Sequence, residues 1–222
     1  MTPEIVSDKV FYRIEHCETE WRDGSIATVG KEENPFTMNW KNEEAKIKRP
    51  DSLTETWVNL ELESVNNAVV NPAFGEKRLE ELVALPHVLA KIHKAINDSI
   101  LASRELAFES VRKNYFSDLP SRMQCMFLIP EDNECIQYWW KELKTQGQCK
   151  RRLFRVSLSG TFHQASAGQL IPLRTCSINS WYEHAKRYWE AQNSLTYDSE
   201  VLAYGTVTFL EELGSLDYGC VD

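Results

Sequence analysis

"EVLAYGTVTFLEEL", Glu200–Leu213, is the stretch whose reading decides the fold. Apolar and β-prone residues run through it with little interruption, which predicts a long final strand. Gly205 inside it suits a bulge or a close backbone approach. The strand opens on an acid, Glu200, and Asp198 stands two residues before it. If the chain is already extended there, alternation points both carboxylates to one side, and like charges that close suit acid–base work. A solvated acid at a strand start is the plainer reading of Glu200.

Outward from this strand, "INSWYEHAKRYWEAQ" reads as a helix with Trp181, Ala185, Tyr188 and Trp189 on one face. "RRLFRVSLSGTFHQAS" alternates like a half-exposed strand. Before it, "CIQYWWKELKTQ" is a helix capped by Asp132 or Asn133 and ended by Gly147, and "MQCMFLI" is a short buried strand. Helical spacing extends from Glu76, interrupted at Pro86, to about Lys113 and includes Leu101, Leu106 and Phe108. "ETWVNLELESV" reads as a strand or edge piece, and "KVFYRIEH" (Lys9–His16) as the first strand. Residues 18–52 are polar, with Gly24, Gly30, Pro35 and Pro50, and are expected to be mostly loop. Strands spread along the chain with helices between them predict an α+β domain with a mostly mixed sheet. No G-x-G-x-x-G follows the first strand, which disfavours a dinucleotide-binding Rossmann unit.

The chain of 222 residues is long enough for one large domain; its 42% hydrophobic and 26% charged residues are ordinary for a folded protein. Its net charge of −8 gives no general attraction to phosphate backbones, so nucleic acid is not the expected partner. One local exception is the basic run Lys141, Lys144, Lys150, Arg151, Arg152 and Arg155, readable as a solvated helix end and loop or as a patch for an acidic partner or a phosphate. Six Cys, none in a C-x-x-C pair, disfavour a zinc ribbon and fit a set of reduced thiols. No apolar run resembles a signal peptide or a membrane span, so the expected site of action is cytoplasmic, including a host cytoplasm reached by signal-less export. Five scattered His form no H-E-x-x-H, and neither a G-x-S-x-G nor a Walker loop occurs, so no metal is expected.

Three segments combine polar groups with strand ends: Tyr12–Arg13, "NYFSDLPSR", and Asp198–Ser199–Glu200. Arg13 lies in an apolar strand, where a guanidinium needs an anionic partner. That partner is Glu15 or another acid, or else a phosphate or carboxamide held bidentate. Ser121 and Arg122 follow Pro120 and suit turn chemistry. Tyr115 and Phe116 are core rings or faces for a planar heterocycle. Glu109 and Arg112, three apart on a helix, are expected to pair.

Together the three segments resemble the ADP-ribosyltransferase superfamily, in which a first-strand Arg or His, a middle Ser or aromatic residue and a late-strand Glu surround NAD. "VFYRI" matches the first element with Arg13 at the motif position, and "SEVLAYG" matches the last with Glu200. The middle "YFSDLPSRMQCMFL" is similar to a branch of uncharacterised microbial proteins near that superfamily. It departs from the usual S-T-S, leaving Ser121, Phe116 and Tyr115 as alternatives for its role. The resemblance implies a single domain over residues 1–222, a split sheet flanked by helices, and residues 18–52 as an insertion. It also implies mono-ADP-ribosyl transfer to a macromolecular acceptor, expected to be a protein, with NAD as a consumed substrate. Glu200 would bind the ribose 2′-OH and stabilise an oxocarbenium-like transition state. Arg13, beside Tyr12, would hold the diphosphate or the adenosine ribose. Tyr115 or Phe116 would pack on nicotinamide, and Ser121 would support Glu200 or the ribose. Asp198 would orient or deprotonate the acceptor. The alternatives are an NAD glycohydrolase, an inactive binding module of the same fold, or an interaction protein using Trp139, Trp140, Trp181 and Trp189.

Overall fold

A computed structural model describes residues 2–16, 19–35, 37–38, 96–97, 99–143, 151–170, 178–191 and 195–213. The chain divides into two compact units, Met38–Ser103 and a larger unit of Met1–Thr37 with Arg104–Asp222. The strand expected at "ETWVNLELESV", the helix from Glu76 and the Gly147 stop lie outside the described residues.

The larger unit runs β1 (Glu4–His16), β2 (Ile26–Val29), a helix α1 over 104–115, β3 (Met126–Leu128), α2 (Asn133–Glu142), β4 (Arg151–Ser166), a 3-10 turn (Ala167–Gln169), α3 (Ile178–Trp189) and β5 (Ser199–Glu212). The class is α+β. The sheet order is β1-β4-β5-β2, with β3 also on β5, and every described pairing is antiparallel. That corrects the expected mixed sheet: apolar runs mark strands but carry no information on direction. The loop expected at 18–52 contains β2, whose Ala27 lies in the core opposite Val207.

β5 is the central strand. β4 lies along one edge, while β3 and β2 share the other end to end, at Val201–Ala203 and Gly205–Thr208. An isolated bridge between Tyr12 and Ile129, with N–H···O distances of 2.9 and 2.7 Å, returns β3 to β1. The sheet thereby closes on itself as β1–β4–β5–β3–β1. Side-chain alternation then gives it an inner and an outer face. The inner face is filled mainly by strand residues, among them Phe11, Leu128, Phe154, Phe162, Val201 and Phe209, with Trp21 from the segment before β2 stacked on Phe209 at 4.8 Å.

The outer face is covered by helices. Phe108 and Val111 of α1 and Ala185, Tyr188 and Trp189 of α3 pack on Leu202 and Ala165. The α3 residues recur at helical spacing, and Trp189 and Tyr188 are fully buried. Trp189 is thus core, with its Nε1 donating to the Phe108 carbonyl at 2.9 Å. Cys135, Ile136 and Trp140 of α2 pack on Leu153 and Ile129. Asp132 caps α2 by accepting from the Cys135 N–H at 3.0 Å. The expected apolar stripe holds at Phe108, but Leu106 is exposed.

Tight closure requires glycine where β4 meets β5. Gly205 pairs with Gly160 at φ +125°, and a Cβ there would lie 2.5 Å from the Ser159 carbonyl oxygen. This is the close backbone approach expected from the sequence. No helix among the described residues is long and apolar enough to cross a membrane.

Candidate functional site

The first strand, the middle segment and the last strand meet at one end of the sheet. Tyr12 bridges Ile129, so the antiparallel direction places Arg13 level with Leu128, whose partner on β5 is Val201, the neighbour of Glu200. β3 therefore lies between the strands carrying Arg13 and Glu200, two strand spacings or about 10 Å apart. Their side chains leave on opposite faces. Arg13 shares the inner face with Phe11 and Leu128, whereas Glu200 shares the outer face with Leu202 and Phe127.

Arg13 takes the local partner allowed by the sequence. Its Nε pairs with Glu15, and its Nη1 donates to the Phe127 carbonyl at 2.6 Å. Continued pairing would have set Phe127 opposite β1, so the guanidinium fills the gap left where that ladder stops. Tyr12 is half-buried against the α2 cluster.

Glu200 sits in an ionic network beneath the helices. Arg122 donates from Nη1 to Glu200 Oε1 and, at 2.7 Å, to the Tyr188 hydroxyl. The same hydroxyl donates to Glu200 Oε1 at 2.6 Å. Arg122 Nε donates to Glu105 at 2.9 Å, and Glu105 also pairs with Arg104 at 2.8 Å. The order is a line of alternating charges: Arg104, Glu105, Arg122, Glu200. Arg122 lies over the rings of Phe127 and Tyr188, each 5.1 Å from its guanidinium carbon. Burial alone would lower the Arg122 pKa, but Glu105 and Glu200 hold it well above its ordinary value. Burial would raise Glu105, but Arg122 and Arg104 hold it below its ordinary value. Burial pushes the Tyr188 hydroxyl far up, with Glu200 adding to the rise, so it stays a donor.

Both hydrogen bonds to Glu200 fall on one oxygen. Among the described residues Oε2 makes none, and it is not among the sealed, unpartnered side-chain atoms. Glu200 is 5% exposed as a whole, and Oε2 is its carboxylate oxygen without a described partner.

Asp198 belongs to a turn, and β5 begins only at Ser199. The alternation expected to pair Asp198 with Glu200 therefore does not apply, because it needs extended backbone at both positions. Asp198 accepts from Ser166 Oγ at 2.8 Å, Gly168 N at 2.6 Å and Thr196 Oγ1 at 2.7 Å, holding the turn into β5.

Ser121 is buried beside the network. Its Oγ donates to Glu109 at 2.8 Å and its N–H to the Tyr204 hydroxyl at 2.8 Å. Glu109 and Arg112 form the expected pair through two hydrogen bonds. Phe116 packs on the outer core, whereas Tyr115 is 63% exposed with Lys186 over its ring. Arg104, Glu105, Tyr188 and the role of Arg122 did not stand out in the sequence. A signal existed for Glu105, a carboxylate three residues before Phe108 on an apolar helix face. Of the basic run, Arg151 stacks on Trp140 and Arg152 pairs with Glu212. Among the described residues no cluster suits a metal ion.

Fold and site define a class: an α+β protein with a closed antiparallel sheet and a carboxylate–guanidinium line buried under its helices. The chain belongs to the family described as "Protein of unknown function (DUF2441)", which it matches over residues 11–215. No curated protein matches it.

Proposed function

We propose that this chain is an NAD-dependent mono-ADP-ribosyltransferase centred on Glu200. The supporting observation is the carboxylate itself, with Oε1 tied to Arg122 and Tyr188 and Oε2 accepting from no described residue. In this reading Oε2 accepts the hydrogen of the nicotinamide-ribose 2′-OH, and the fixed negative charge favours the oxocarbenium-like transition state. The C1′–N bond breaks and its electron pair neutralises the pyridinium. A lone pair from the acceptor forms the new bond at C1′, and the acceptor's proton leaves to solvent. The acceptor is a macromolecule, most simply a protein; water in its place makes the same chemistry a glycohydrolase. Arg13 has no direct part in this chemistry, since it faces away from Glu200.

That placement favours a second reading, a catalytically inactive NAD- or partner-binding module of the same fold. The two readings separate on nicotinamide release from NAD. Transferase or glycohydrolase chemistry predicts release by the wild type and a loss of roughly a hundredfold or more in Glu200→Gln. No release from wild-type protein incubated with NAD and a cell lysate leaves only the inactive module.

A further inference from the structure

We infer that Tyr188 is a positioning residue for Glu200, selecting which carboxylate oxygen meets the substrate; this rests on the transferase reading of the same site. A carboxylate has two equivalent oxygens, and a guanidinium alone can grip both in a fork. Here the fork is divided. Arg122 sends Nε to Glu105, and Nη1 serves both Glu200 Oε1 and the Tyr188 hydroxyl. The Tyr188 hydroxyl adds a second donor to that same oxygen at 2.6 Å. Two donors converging on Oε1 fix the rotation of the carboxylate and leave Oε2 as the oxygen without a described partner.

The holder is itself immobile. Tyr188 is 0% exposed, and its ring sits edge-on to Phe108, His163 and Trp189 at centroid distances of 5.4, 6.0 and 4.8 Å. Burial and these ring contacts hold its hydroxyl against Oε1. A buried ionic line of this kind is a weak source of stability, because apolar residues of similar volume serve as well or better. Orientation of one reactive group is the property that apolar residues cannot supply.

The test is steady-state nicotinamide release from NAD by wild type, Glu200→Gln and Tyr188→Phe. Tyr188→Phe keeps the ring packing and deletes one hydroxyl. The expected result is a kcat lowered about tenfold with the KM for NAD unmoved, since ground-state binding does not depend on that hydroxyl. A purely structural Tyr188 would lower the melting temperature and leave kcat of the folded enzyme intact. Wild-type turnover that is sensitive to Glu200→Gln but unchanged in Tyr188→Phe overturns the positioning role and leaves the transferase reading standing. Absence of wild-type turnover overturns both. Should Tyr188→Phe fail to fold, Arg122→Lys provides the second arm: it keeps the charge but not the divided fork. It must then lower kcat at constant KM; an unchanged kcat overturns the inference.

Discussion

Arg122 is answered by two carboxylates, a hydroxyl and two ring faces, and every one of those partners is buried or nearly so. Removing one acid leaves the guanidinium short of charge where water cannot reach it. Glu105→Ala is therefore expected to cost about 3–5 kcal/mol in urea unfolding. A loss below about 1 kcal/mol would mean that Arg122 finds another partner. Glu200→Ala carries the same liability, which is why the chemical test uses Gln. The partners of Arg122 were not legible because they lie 17, 66 and 78 residues away. Arg13–Glu15 and Glu109–Arg112 were legible because strand and helix geometry set those pairs locally. Asp198 shows the converse failure: its D-x-E spacing had meaning only if the strand began two residues earlier than it does.

Among elements, β4 and β5 were readable nearly to their ends, since long runs of β-prone residues have no competing interpretation. β2 escaped because it has four residues and sits in a polar stretch with only alternate residues turned to the core. Strand direction was beyond the sequence, because periodicity is the same for parallel and antiparallel pairing. Gly205 was visible as an anomaly, and the structure gives its reason. Gly205→Ala would force a Cβ against the Ser159 carbonyl at a φ unfavourable to L side chains, with an expected cost of about 3 kcal/mol or more. Chemical denaturation checks this; a near-neutral Ala would show that β4 and β5 can separate locally.

For the whole molecule, His163 and Glu105 link stability to pH. Burial lowers His163 from 6.5 to about 4, where its Nε2 faces the Tyr188 carbonyl and its ring stacks on Trp189. The unfolded chain takes up this proton first as pH falls. The stability held by neutral His163 is thus complete above 6.5 and declines toward pH 4, by about 3 kcal/mol. Glu105, also lowered, adds a loss that begins only below its ordinary 4.5. Melting temperatures from about pH 8 to about pH 4 should fall by roughly 10 °C, and the fall between 6.5 and 4 should be smaller in His163→Gln. Equal declines in both proteins would mean that other groups carry the linkage.

The strand that β2, β3 and β4 all pair with, Ser199–Glu212, is the last described element to be synthesised. β1 has its ladder partner at residues 151–162. During translation the β1–β4 ladder therefore cannot form until residues 151–162 have left the ribosome. Folding of the closed sheet is for that reason a late event governed by distant pairings, slow by its topology, and dependent on whatever shields the waiting edges in the meantime.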